Sequence, residues 1–134
     1  MSLLTPELRA RLRANDIAQR DARRRCANEP DPMPVVKFFN PMGGATWLAT
    51  ELDPNGDTLF GLADLGFGCP ELGSFSLREI AAVRLPFGLS IERDAGFSTV
   101  HSLSVWANWS RRAGSILYAE ALLRGVPARS DPDA

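Results

Sequence analysis

The sequence is poor in the residues that most often carry chemistry. It holds one histidine, one tyrosine and two cysteines. A lone His101 excludes a multi-histidine metal site or a histidine-based dyad, and in its polar loop it reads as an incidental surface residue. Cys26 and Cys69 are too few for a disulfide framework and lack zinc-like spacing, so both read as reduced thiols. Acids near Cys69 blunt it as a nucleophile. No apolar run approaches the about 20 residues that a membrane-spanning helix needs. The opening stretch MSLLTPELRARLRAND lacks the apolar centre of a signal peptide. A cytoplasmic location is the default expectation. No internal repeat is visible, and Gly43-Gly44 has no lysine after it to make a phosphate loop. No motif calls for a cofactor.

What is present is an ordinary globular composition, 45% hydrophobic and 23% charged over 134 residues. That length suits one domain. The net charge is −1, unevenly placed. Residues 1–25 hold seven arginines against Glu7, Asp16 and Asp21, a net +4, which leaves −5 for the rest. Residues 37–72 carry five acids against Lys37. A basic head and an acidic middle either meet within the molecule or face different partners.

Local signals give an α+β domain: an antiparallel sheet of about four strands, a central helix, and N- and C-terminal helices packed on it. Thr5-Pro6-Glu7 starts a helix over 6–15 within a basic region 1–25. Three prolines make 26–34 a linker. Strands are expected at 35–40, 45–53, 58–66 and 89–94, the middle pair joined by a hairpin at Asn55-Gly56. Ser76 and Glu79 form a capping box for a helix at 76–85. Helices follow at 102–114, started by Ser102 or Ser104, and at 115–125, with Gly114 as the break. Residues 126–134 read as a frayed tail. Trp106 and Trp109 form an amphipathic stripe, core first. Tyr118 reads as core or rim.

Strict alternation puts Trp47, Ala49, Glu51 and Asp53 on one face of the second strand, and Leu48, Thr50 and Leu52 on the other. The latter face is the expected core; the former is expected to be wet. The stretch LFGLADLGFGCPELG (59–73) reads as a strand ending at Leu65, then a tight loop carrying Glu71 to the next helix. Together these placements suggest a binding groove of Trp47, Glu51, Asp64, Glu71, Glu92, Arg93 and Asp94. Clustered carboxylates raise one another's pKa values, so a metal-dependent hydrolase or nuclease using Glu51, Asp53, Asp64, Glu71, Glu92 or Asp94 is one alternative. A calcium loop through Asp53, Asp57 and Asp64 is a narrower form of it, although Thr58 stands where that loop needs glycine. The other alternative is nucleic-acid binding through Arg20, Arg23, Arg24 and Arg25.

The segments ATWL, TELDP, LFGLADLG, PELG, PFGL and IERD between residues 34 and 94 resemble a bacterial domain family of unknown function, frequent on plasmids and integrative elements of alphaproteobacteria. The family supplies no catalytic residues to carry over. The resemblance implies an accessory protein of mobile DNA, and the charge polarity with the poverty of nucleophiles and histidines favours a non-enzymatic one. Such a protein would bind a protein or nucleoprotein partner, as anti-restriction or anti-CRISPR factors do.

Overall fold

The computed structural model describes residues 2–128. Its first helix, α1 (Pro6–Arg24), begins as expected, with the Thr5 hydroxyl accepting from the Leu8 N–H. It runs well past residue 15. Its buried positions are Leu12, Asp16, Gln19 and Ala22. They keep helical spacing, but two are polar, so the second half shows no apolar stripe. Arg13 and Arg20 both reach Asp16, and Arg24 and Arg25 both reach Asp21, an i,i+3/i,i+4 lattice that supports the longer helix.

Five antiparallel strands follow: β1 (Val36–Phe39), β2 (Thr46–Leu52), β3 (Thr58–Asp64), β4 (Glu71–Ser76) and β5 (Glu92–Arg93), in the order β4-β3-β2-β1-β5. The Asn55-Gly56 hairpin is present. Asn55 Oδ1 accepts from the Asp57 and Thr58 amides, and Gly56 has φ +75°. The strand at 71–76 stands where a loop is expected. Its two large apolar residues, Leu72 and Phe75, are three apart, so no alternation can be read. The strand expected at 89–94 shrinks to two residues.

Ser76 ends β4 and caps the short α2 (Leu77–Ala82), its hydroxyl accepting from the Glu79 N–H. α3 (Leu103–Ala113) starts at Ser102 and stops at Gly114, φ +76°. α4 (Ile116–Leu123) follows directly. Of the expected tail, Val126 packs against the core and 129–134 lie outside the described residues.

Both sheet faces are covered. α1 and α2 pack on Val36, Phe38, Trp47, Ala49, Leu52 and Leu59. α3 and α4 pack on Leu48 and Leu62, with Trp106 buried among them. Leu12, Phe38, Leu48, Leu59 and Leu62 have no exposed surface, and each such side chain contributes about 1.5–3 kcal/mol.

Leu48 and Leu52 therefore face opposite ways, and the expected wet face does not exist. The cause is a β-bulge. Ala49 pairs with Gly61, Glu51 pairs with Phe60, and Thr50 is the extra residue. Parity changes there, so Leu52 joins Trp47 and Ala49 while Glu51 crosses to the Leu48 side. Gly61 is part of the same device. A Cβ at that position would overlap the Leu48 carbonyl oxygen, so only glycine allows the close approach. Beyond Ala49, β2 outlasts β1. Its carbonyls at Thr50 and Leu52 are taken by Asn15 Nδ2 at 2.9 Å and Arg13 Nη1 at 2.5 Å from α1.

Candidate functional site

The bulge delivers one carboxylate to an unusual place. Glu51 is only 7% exposed. Its Oε2 accepts from the Thr50 hydroxyl at 2.5 Å. Among the described residues it makes no ion pair. Burial pushes its carboxyl pKa up, against the opposing pull of the Thr50 hydroxyl and Arg23. Glu51 lies in a groove of about 240 Å³. The sheet side is Phe60 and Leu72, α3 adds Leu103 and Ser104, and the proline-rich linker and the end of α1 close the rest. Phe60 and Leu72 stay partly exposed, at 37% and 40%. At the rim, Arg23 pairs with Glu29 at 2.9 Å. Asp31 accepts from the Ser104 hydroxyl and amide, anchoring the linker to the first turn of α3. A buried, protonation-shifted carboxyl in a groove can hold a cation or exchange a proton.

The rest of the expected groove is dispersed. Trp47 is core on the α1 side. Asp64 is 2% exposed and structural: Oδ1 accepts from the Gly66 N–H at 2.9 Å, and Oδ2 from the Ile116 N–H at 3.0 Å. It thereby ties the end of β3 to the positive end of α4. Glu71 starts β4, whereas Glu92, Arg93 and Asp94 lie at or beside β5, the opposite edge of the sheet. Three strands separate them. Arg93 Nε donates to the Leu3 carbonyl.

The carboxylates named for calcium do not converge either. Asp53 takes Arg20 Nη2 at 2.6 Å and the Asn55 amide at the hairpin. Asp57 caps α2, accepting from the Arg78 N–H and the Ser76 hydroxyl, each at 2.8 Å; these bonds lower its pKa. Asp64 sits at the far end of β3. Among the described residues no three histidine, cysteine or acidic side chains gather as metal ligands. Hairpin turning and helix capping account for these acids.

The four arginines of the basic head expected to meet nucleic acid have carboxylate partners. Arg20 reaches Asp16 and Asp53, Arg23 reaches Glu29, and Arg24 and Arg25 share Asp21. Head and acidic middle meet at Arg20–Asp53.

Sequence reasoning missed a second buried charge. Lys37, the only lysine of the chain, is 6% exposed. Its Nζ lies 2.8 and 3.0 Å from the two Glu120 oxygens and 3.6 Å from Asp94 Oδ2. This cluster clamps α4 to β1. Beside it, the loop at 94–101 and α4 enclose a cleft of about 510 Å³. His101 lines the cleft but is 4% exposed, which overturns the surface reading. The loop folds back over α3, with Trp106 Nε1 donating to Thr99 Oγ1, and this buries the imidazole with Nε2 3.3 Å from the Leu123 carbonyl. Tyr118, by contrast, is well exposed.

Fold and surface together define an α+β domain with helices on both faces of its sheet, an acid-floored groove and one open sheet edge. The chain belongs to the family described as "Protein of unknown function (DUF2958)", whose model matches residues 3–117. No curated protein and no solved structure matches it. Among the described residues no helix is long and apolar enough to cross a membrane.

Proposed function

We propose that this chain is a non-enzymatic binding protein whose protein or nucleoprotein partner docks along β4. The observation that carries this reading is the open edge of the sheet. β4 is six residues long, pairs only with β3, and none of its residues is buried. Natural sheets guard such edges with lysine, proline or a covering element, because unpaired backbone groups accept another strand. Here the residues are Glu71, Leu72, Gly73, Ser74, Phe75 and Ser76, with one charge, three small side chains and two apolar ones. Just before them the glycine-rich loop presents Leu65 at 57% and Phe67 at 83% exposure. Gly66 and Gly68 hold φ of +90° and +83°, so the loop keeps a shape that other residues resist. An extended segment can add to β4 through its main chain while apolar contacts on the loop select it. In the mobile-DNA setting that the sequence resemblance implies, the partner belongs to host defence, such as restriction or CRISPR machinery, or to transfer.

The test is purification of the tagged chain from its own host, with low- and high-salt washes, for wild type, Gly73→Lys and Phe67→Ala. A Cβ at Gly73 meets nothing within 4 Å, so the lysine is tolerated by the fold. A stoichiometric partner that survives high salt and is lost from both variants is the expected result. Capture indifferent to both substitutions, or no partner at all, would overturn the reading.

A further inference from the structure

The groove around Glu51 is too small for most free ligands. At about 240 Å³ it falls below the roughly 300–1,000 Å³ of pockets that enclose whole small molecules. It has room for one long side chain. Its chemistry is lopsided. Glu29, Asp31 and Glu51 face it against Arg23, with Asp16 of α1 adding negative charge nearby. Arg23 pairs with Glu29, and Asp31 accepts two hydrogen bonds from Ser104. Glu51 is the buried one of the three acids, with one hydroxyl, the more distant pull of Arg23 and no ion pair among the described residues. A bulge and a glycine are spent on aiming this acid, which would otherwise sit in the α1 core. The walls are flat and apolar: Phe60, Leu72 and two prolines.

From this geometry we infer that the groove is a subsite for the arginine side chain of a protein partner, with the guanidinium on Glu51 and its stem across Phe60 and Leu72. Guanidinium is planar and weakly hydrated, so it leaves water for such a slot more readily than an ammonium does. The inference rests on the protein-binding reading and names what the partner presents.

The experiment uses the isolated full chain, ¹⁵N-labelled, titrated with N-acetyl-arginine amide, with N-acetyl-citrulline amide as the uncharged isostere. The arginine probe is expected to shift the amides of Glu51, Phe60, Leu72 and Leu103. Citrulline, or arginine on Glu51→Gln, should bind at least about tenfold more weakly, since a hydrogen bond to a charged group is worth that much or more. The Glu51 carboxyl titration should also move to lower pH on saturation, because a bound cation favours the ionised form. Absence of these shifts, or equal shifts with citrulline or with Glu51→Gln, would refute the assignment. The probe needs no partner, so that failure leaves the β4 reading standing. Conversely, partner capture indifferent to both Gly73→Lys and Phe67→Ala removes the β4 reading while arginine binding at Glu51 remains measurable.

Discussion

Two ionisable side chains, Lys37 and Glu51, are buried on the same helix-covered face of one sheet, and they are treated in opposite ways. Lys37 has Glu120 at two short distances and Asp94 behind it. Glu51 has one hydroxyl. A buried charge with its partners in place is architecture: it fixes how α4 sits on β1. A buried charge aimed into a groove without a partner is destabilising to the fold alone, and is kept for something that arrives from outside.

Lys37→Ala should give the largest effect. It strands Glu120 and should cost about 3–5 kcal/mol in urea unfolding. Lys37→Met combined with a leucine at position 120 should recover most of that loss; no recovery would mean that the cluster does more than join two elements.

Glu51→Gln should have the opposite sign. A carboxyl whose folded pKa is raised takes up protons on folding, so the wild type is penalised above that pKa and relieved as pH falls. The variant should melt higher than wild type at neutral pH. The gap should close as pH drops toward the ordinary carboxyl value of 4.5. A lower melting temperature at neutral pH would place Glu51 with Lys37 as a structural charge.

Asp57 sharpens the contrast with a smaller effect. Its pKa is lowered by the Arg78 amide and the Ser76 hydroxyl, so its stabilisation is present above 3.8 and is lost as pH falls through the folded value. Asp57→Asn should therefore lower stability at neutral pH, with the difference fading in acid. Melting curves of both carboxylate variants across pH should converge on wild type from opposite sides.

The sequence made legible what depends on one residue and its immediate neighbours. Thr5, Ser76 and Ser102 cap helices, Asn55-Gly56 turns a hairpin and Gly114 breaks a helix pair, each by chemistry confined to a few bonds. What it hid depends on comparison across the fold. The second half of α1 buries Asp16 and Gln19, so its inner face looks polar. β4 has an exposed edge and no alternation. The Thr50 bulge is invisible to any reading that assumes a period of two, and it alone moved Glu51 away from Trp47. Glu51 is legible as a candidate, but its companions Phe60, Leu72 and Leu103 are not, because only the bulge brings it to them. Lys37 takes its burial from Glu120 on α4, 83 residues away, and His101 lies against Leu123, 22 residues away.

The extra residue at Thr50 has an evolutionary corollary. A lineage that lost it would keep both the hairpin and the place of the acid, since Glu51 would then follow Ala49 directly and still stand opposite Phe60. A lineage that kept it but paired it would swing the acid into the layer built on Leu12 and Phe38. What the extra residue decides is parity after Ala49, so insertion and register are a linked pair of characters. Relatives of this chain that lack the additional residue in β2 should carry the acid directly after the alanine, a pattern of gaps that can be scored by eye.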